Sequence, residues 1–156
     1  MKRHSSAAGL ALAVLAILGL AGPAAAGEQV PFKGSLEGTV TRSAPPPPIL
    51  VNVAATGTAT QLGLFSLEIP HVVTPPIGHG FYDFVAANGD TLAAEFDGVS
   101  MLVAPGVLYI VEIATITGGT GRFANATGGF VCERLYDIAA GTTIGYFEGT
   151  VSRPGP

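Results

Sequence analysis

Cysteine and basic side chains are both scarce in this chain, and each shortage removes a class of function. Cys132 is the single cysteine, so no disulfide forms within the chain and packing alone has to hold the fold. A lone strand cysteine is most often a small buried hydrophobe. Lysine and arginine total seven, two of them at the N-terminus, against eleven Asp and Glu. Beyond residue 26 only Lys33, Arg42, Arg122, Arg134 and Arg153 remain, five basic residues against eleven acidic ones, a net charge of −6. Such a dispersed, acidic balance repels phosphate backbones and excludes nucleic-acid binding. No segment sustains a 3.6-residue apolar period, which excludes a helical architecture.

The N-terminus supplies a compartment. Lys2, Arg3 and His4 precede an uncharged run from Ala7 to Leu20 that ends in Gly22-Pro23-Ala24-Ala25-Ala26. This is the charged, apolar and small-residue order of a secretory signal peptide, with cleavage expected after Ala26. The apolar run is shorter than the roughly 20 residues a bilayer-crossing helix needs, so the mature chain is expected to keep no transmembrane anchor. The pair is Lys2-Arg3 rather than twin arginine, so general secretion is the expected route, to the periplasm or the exterior. Residues 27–156 are then one domain, since a chain of this size buries about two thirds of its unfolded surface.

Twenty-two glycines and twelve prolines break the chain into short segments rich in Val, Ile, Thr, Phe and Tyr. In the first, Phe32, Gly34, Leu36, Gly38 and Val40 alternate with polar residues, the period of a strand with one buried face. Prolines 45 to 48 end it, because proline has no amide hydrogen for the ladder. Further strands are expected at Ile49–Thr60, Leu62–Val73, Gly80–Ala87, Asp90–Val99, Val107–Thr117, Ala126–Asp137 and Thr142–Val151. Asn88-Gly89 reads as a type I′ hairpin turn. Eight short strands with glycines inside them favour an all-β, closed antiparallel eight-stranded barrel, with a two-sheet sandwich as the alternative.

Thr117-Gly118-Gly119-Thr120-Gly121-Arg122-Phe123, followed by Gly128-Gly129-Phe130, carries the strongest motif. Gly118, Gly119 and Gly121 are expected to take backbone angles closed to other residues, letting Phe123 fold back over the turn. The loop lacks the lysine and following helix of a phosphate cradle. The segment resembles the glycine-rich hairpin of plant dirigent proteins and allene oxide cyclases. Thr58-Ala59-Thr60-Gln61-Leu62-Gly63-Leu64-Phe65 and Ala86-Ala87-Asn88-Gly89-Asp90-Thr91-Leu92 resemble exported bacterial proteins of the same barrel superfamily. The resemblance implies an eight-stranded, calycin-type barrel with a mostly apolar lumen, often trimeric. The cyclases use that lumen to hold a fatty-acid epoxide, and dirigent proteins use it to steer phenoxy-radical coupling. The cyclases' acidic N-terminal signature and the dirigent acid and arginine set have no counterpart here, so neither activity carries over.

Candidate polar groups for a lumen are few. Glu133 and Arg134 are neighbours on a strand and face opposite ways, Arg134 with Phe130 and Cys132, Glu133 with Val131 and Leu135. An inward charge needs a partner, and Tyr109, Glu112, Tyr146 and Glu148 are the candidates; rim or outer-surface pairing is the ordinary alternative. Tyr109, Glu112, Cys132, Arg134, Tyr146 and Glu148 are therefore the candidate ligand-binding residues. Tyr109, Val111 and Ile113 form a second apolar row on the sixth strand, which suggests a homo-oligomer. His71 and His79 flank Pro75-Pro76 as loop histidines without a third ligand, so no metal is expected, and nothing implies a cofactor. No serine, cysteine or carboxylate constellation marks a catalytic site. The expected function is uptake of a small apolar ligand in the lumen. A cyclase or isomerase acting on a reactive apolar substrate is the alternative, and an extracellular structural or interaction domain with a packed lumen is a third.

Overall fold

The computed structural model describes residues 27–156; the expected signal peptide lies outside the described residues. Eight strands are found among them: β1 (Gln29–Arg42), β2 (Ile49–Ala59), β3 (Gly63–Thr74), β4 (Ile77–Ala86), β5 (Thr91–Ala104), β6 (Val107–Gly119), β7 (Gly128–Asp137) and β8 (Thr142–Ser152). Each pairs antiparallel with the next, and β8 returns to β1, closing the barrel. Closure leaves no strand edge unpaired, the requirement that the glycine-punctuated sequence pointed to.

The alternation read from β1 is the one observed. Phe32 and Leu36 are buried in the interior while Lys33, Ser35 and Glu37 face out. Two strands run well beyond their sequence signals, and β6 ends at Gly119 rather than Thr117. β4 begins at Ile77 rather than Gly80, directly after Pro75-Pro76, and β5 continues from Val99 to Ala104 because Ser100 to Leu102 pair with β6. β7 starts at Gly128 rather than Ala126. At the β4–β5 hairpin only Gly89 has positive φ (89°), so the turn is not type I′. The Gly89 amide donates to the Ala86 carbonyl, and the Asn88 side chain instead accepts from the Asp90 amide. That is a three-residue loop with the glycine in the left-handed position.

The interior is filled by side chains. Phe32, Phe65, Tyr82, Phe84, Phe96, Phe130 and Phe147 form one cluster of rings with centroids 5.0 to 6.1 Å apart. Most pairs meet edge to face, the arrangement that the ring quadrupole favours. One barrel end is plugged by Leu62, Leu92, Ala126 and Phe123, all buried. Phe123 reaches the plug from the 3₁₀ turn Gly121–Phe123. Gly121 permits that turn: its φ is 57°, and a Cβ there would lie 1.9 Å from the Asp90 carboxylate. Gly118 also has positive φ, but Gly119 does not; its place is set by the Thr91 carbonyl, 2.1 Å from where a Cβ would be.

Candidate functional site

Toward the barrel end that carries the β1–β2, β3–β4, β5–β6 and β7–β8 turns, the aromatic packing gives way to one polar cluster. Arg134 on β7 points inward, and its Nε and Nη2 donate to the two carboxylate oxygens of Glu112 on β6, at 3.0 and 2.6 Å. The Tyr82 hydroxyl donates to the same carboxylate. Glu112 is 1% exposed and Arg134 3%. Arg134 is thus an interior residue, not the rim or surface charge that its type usually becomes, because a bidentate partner offsets its desolvation.

The same environment sets the protonation of each member. Burial acts against the Arg134 guanidinium, but the charge and hydrogen bonds of Glu112 override it and raise its pKa. Burial, then the Glu112 charge, pushes Tyr82 well above its ordinary value and the Cys132 thiol up to about 12. Both stay protonated, so Cys132 is no nucleophile. Both Glu112 oxygens are engaged by protein donors. The cluster is a closed clasp, without a free base or acid to offer a substrate.

His71 lies beside this cluster. It is buried on β3, not in a loop, with its ring 5.7 Å from that of Phe96 and Nδ1 donating to the Ile69 carbonyl at 2.8 Å. His79 is exposed on the outer face of β4, paired with Asp97 of β5, so the two histidines point to opposite sides of the wall. Burial holds His71 below its usual value of 6.5, with Arg134 contributing in the same direction against Ile69 and Glu112. The unfolded chain therefore binds the proton more readily, and the stability tied to neutral His71 is full above 6.5 and lost as pH falls below it. Urea midpoints are expected to drop between about pH 7 and pH 5, and His71→Phe should flatten that drop. An equal slope in the variant would assign the pH dependence elsewhere.

The open recess is on the outside of the barrel, a groove of about 1130 Å³. Its walls are two cross-strand rows fixed by register. One row runs Glu133, Tyr146, Ser35, Thr58, Leu64. The other runs Tyr109, Leu135, Ile144, Glu37, Thr56, Ser66, Val85. The floor is the backbone of the inward-facing row between them, which includes Gly145 and Gly57. A Cβ on Gly57 would lie 2.0 Å from the Ser35 carbonyl, so only glycine lets β1 and β2 approach this closely.

No family model matches this chain, and no curated protein matches it by sequence. Solved structures do match. The pterocarpan synthase dirigent protein GePTS1 superposes with a TM-score of 0.61 at 15% identity, over 82% of this chain and 92% of its own. PsPTS1, also a pterocarpan synthase dirigent protein, gives 0.61 at 13% identity, over 83% and 97%. The fold is that of the dirigent proteins.

This dirigent-type barrel separates the candidate residues. Glu112, Cys132 and Arg134 meet in the interior, joined by Tyr82, which sequence reasoning missed. No sequence signal pointed to it, because Phe81 and Val85 on the outer face of β4 are as apolar as their inward neighbours. Tyr109 and Tyr146 are on the outer wall and donate to Glu133, not to the Arg134 cluster. Glu148 is exposed on the outer face opposite Lys33 and joins neither group. On the outward row of β6 Ile113 is 67% exposed, while Tyr109 and Val111 are half-buried. Among the described residues no group of three His, Cys, Asp or Glu side chains is placed to hold a metal, and no helix is long and apolar enough to cross a membrane.

Proposed function

We propose that this protein is a small-molecule-binding barrel whose ligand occupies the outer groove, not the lumen. One contrast supports it: seven packed rings fill the interior, whereas the groove is open and has apolar walls at both ends, Leu64 and Val85 at one and Leu135 and Ile144 at the other. Ligand sites are typically concave and largely apolar, with a few placed polar groups, and this groove has that composition. The likeness to two dirigent proteins supports the barrel as scaffold. On this proposal the chain acts outside the cytoplasm after residues 1–26 are removed.

The cyclase or isomerase alternative has weaker support, since the buried Glu112 cluster spends its acceptors on the protein's own donors. Titration with the neutral apolar dye Nile red tests the proposal. Saturable binding is expected, and the paired substitutions Leu64→Asp and Ile144→Asp, both on exposed outward positions, should abolish it without lowering thermal stability. Undiminished binding in that folded double variant would move the ligand out of the groove.

A further inference from the structure

One end of the groove carries more than apolar binding requires. Glu133 lies between two tyrosines, and the hydroxyls of Tyr109 and Tyr146 both donate to its Oε2, at 2.6 and 2.7 Å. These bonds hold the Glu133 carboxyl below its ordinary value, raise Tyr146, and push Tyr109 up to about 12. At neutral pH the site is one carboxylate flanked by two protonated phenols. Its Oε1 accepts no hydrogen bond from the described residues, and the shared contact on Oε2 fixes both rings beside it.

The rest of the groove adds negative charge and no positive charge. Glu37 lines its middle. Arg134 contributes to the floor, but its guanidinium is turned inward and bound to Glu112. Lys33 lines an adjoining outer recess that shares Ser35, Thr58 and Tyr146 with the groove, and there it stands opposite Glu148. Within the groove itself an anionic ligand would meet two carboxylates and no free cation, Lys33 standing opposite Glu148 one row away. A neutral apolar ligand would strip water from Glu133 Oε1 and return no donor, which is costly for a charged oxygen.

Taking the groove as the ligand site, we infer that its ligand is an organic cation, an alkylated ammonium group on an apolar body, with the ammonium seated at Glu133 between Tyr109 and Tyr146. Ring faces attract such a head group through their quadrupoles, the carboxylate supplies the counter-charge, and the apolar body lies toward Ile144 and the small side chains of Ser35 and Thr58. A weakly hydrated ammonium loses little on leaving water.

Paired probes of equal shape test this, with benzyltrimethylammonium as the cation and neopentylbenzene as its neutral counterpart, both followed by saturation-transfer NMR on the mature chain. The cation is expected to bind more tightly, and Glu133→Gln should weaken it by about tenfold while leaving the neutral probe as tight or tighter, because the charged oxygen that it would desolvate is gone. Tyr146→Phe, which keeps the ring but frees Glu133 from one donor, should weaken the cation less than Tyr146→Ala. Equal binding of both probes would sink the cation assignment and leave the groove as an apolar site. Binding of neither would sink both. Self-association in sedimentation that Glu133→Gln or Tyr146→Ala disrupts would assign this surface to a second copy of the chain and overturn the inference. Thermal melts of each variant check that the fold survives, the expected result because these side chains are outside the core.

Discussion

Arg134→Ala is expected to lower the stability of the barrel by about 3–5 kcal/mol, the usual result of removing one partner of a buried ion pair. The cost is not the loss of a strong attraction. It is the stranding of Glu112, 1% exposed, with a charge that has lost its counter-ion and two of its hydrogen bonds. The Tyr82 hydroxyl is then the only donor left on that carboxylate. The triple substitution Tyr82→Phe, Glu112→Leu, Arg134→Met removes Glu112 together with all its donors and replaces them with apolar volume. It should be far closer to the wild type than Arg134→Ala is, and can exceed it in stability. Urea denaturation of the single and triple variants decides the matter. A single variant as stable as wild type would mean that water or another group reaches Glu112, and would end the description of this cluster as a closed clasp.

Phe84→Ala should cost a comparable amount, about 3–5 kcal/mol, for a different reason. Phe84 is fully buried, and its ring meets those of Phe32, Phe65, Tyr82, Phe130 and Phe147 at centroid separations of 5.2 to 6.0 Å. These neighbours come from β1, β3, β4, β7 and β8, strands held at fixed spacing by a closed hydrogen-bond ladder, so the barrel cannot collapse around the gap. The variant should also open an apolar cavity inside the lumen. Thermal melts in the presence of benzene would show recovery in Phe84→Ala and none in the wild type. A loss below about 1 kcal/mol would show a pliable interior and reopen the lumen as a ligand site.

The two predictions separate what alternation encodes from what closure adds. The two-residue period of β1 and β7 placed Phe32, Leu36, Phe130 and Cys132 on shared faces, and the structure buries all four. It also tied Arg134 to the face of Cys132, leaving open only which face was inner. The pattern around Pro75-Pro76 misled, because proline usually ends a ladder; here it forms the tip of a tight hairpin, and His79 belongs to β4, while His71 sits within the strand expected from Leu62 to Val73. The length of β5 was equally hidden. Met101 to Ala104 are exposed and carry no burial period, and only pairing with β6 makes them strand.

Strand period, turn residues and the glycine-rich hairpin are local properties, each written within a few consecutive positions. From them the sequence by itself determined the all-β class, the number of strands and the residues that share a face. Partnership across strands is not local. Glu112 and Arg134 are 22 residues apart and meet because the β6–β7 register sets Glu112 opposite Cys132 and Ile110 opposite Arg134. The groove is more remote still, since its walls are rows that cross every strand except β5 and exist only once the sheet has closed. Tertiary structure therefore decided which charges went inside and moved Tyr109 and Tyr146 from an expected lumen to an outer wall beside Glu133. Register and closure are fixed by the packing of all eight strands together, and no single segment contains that information.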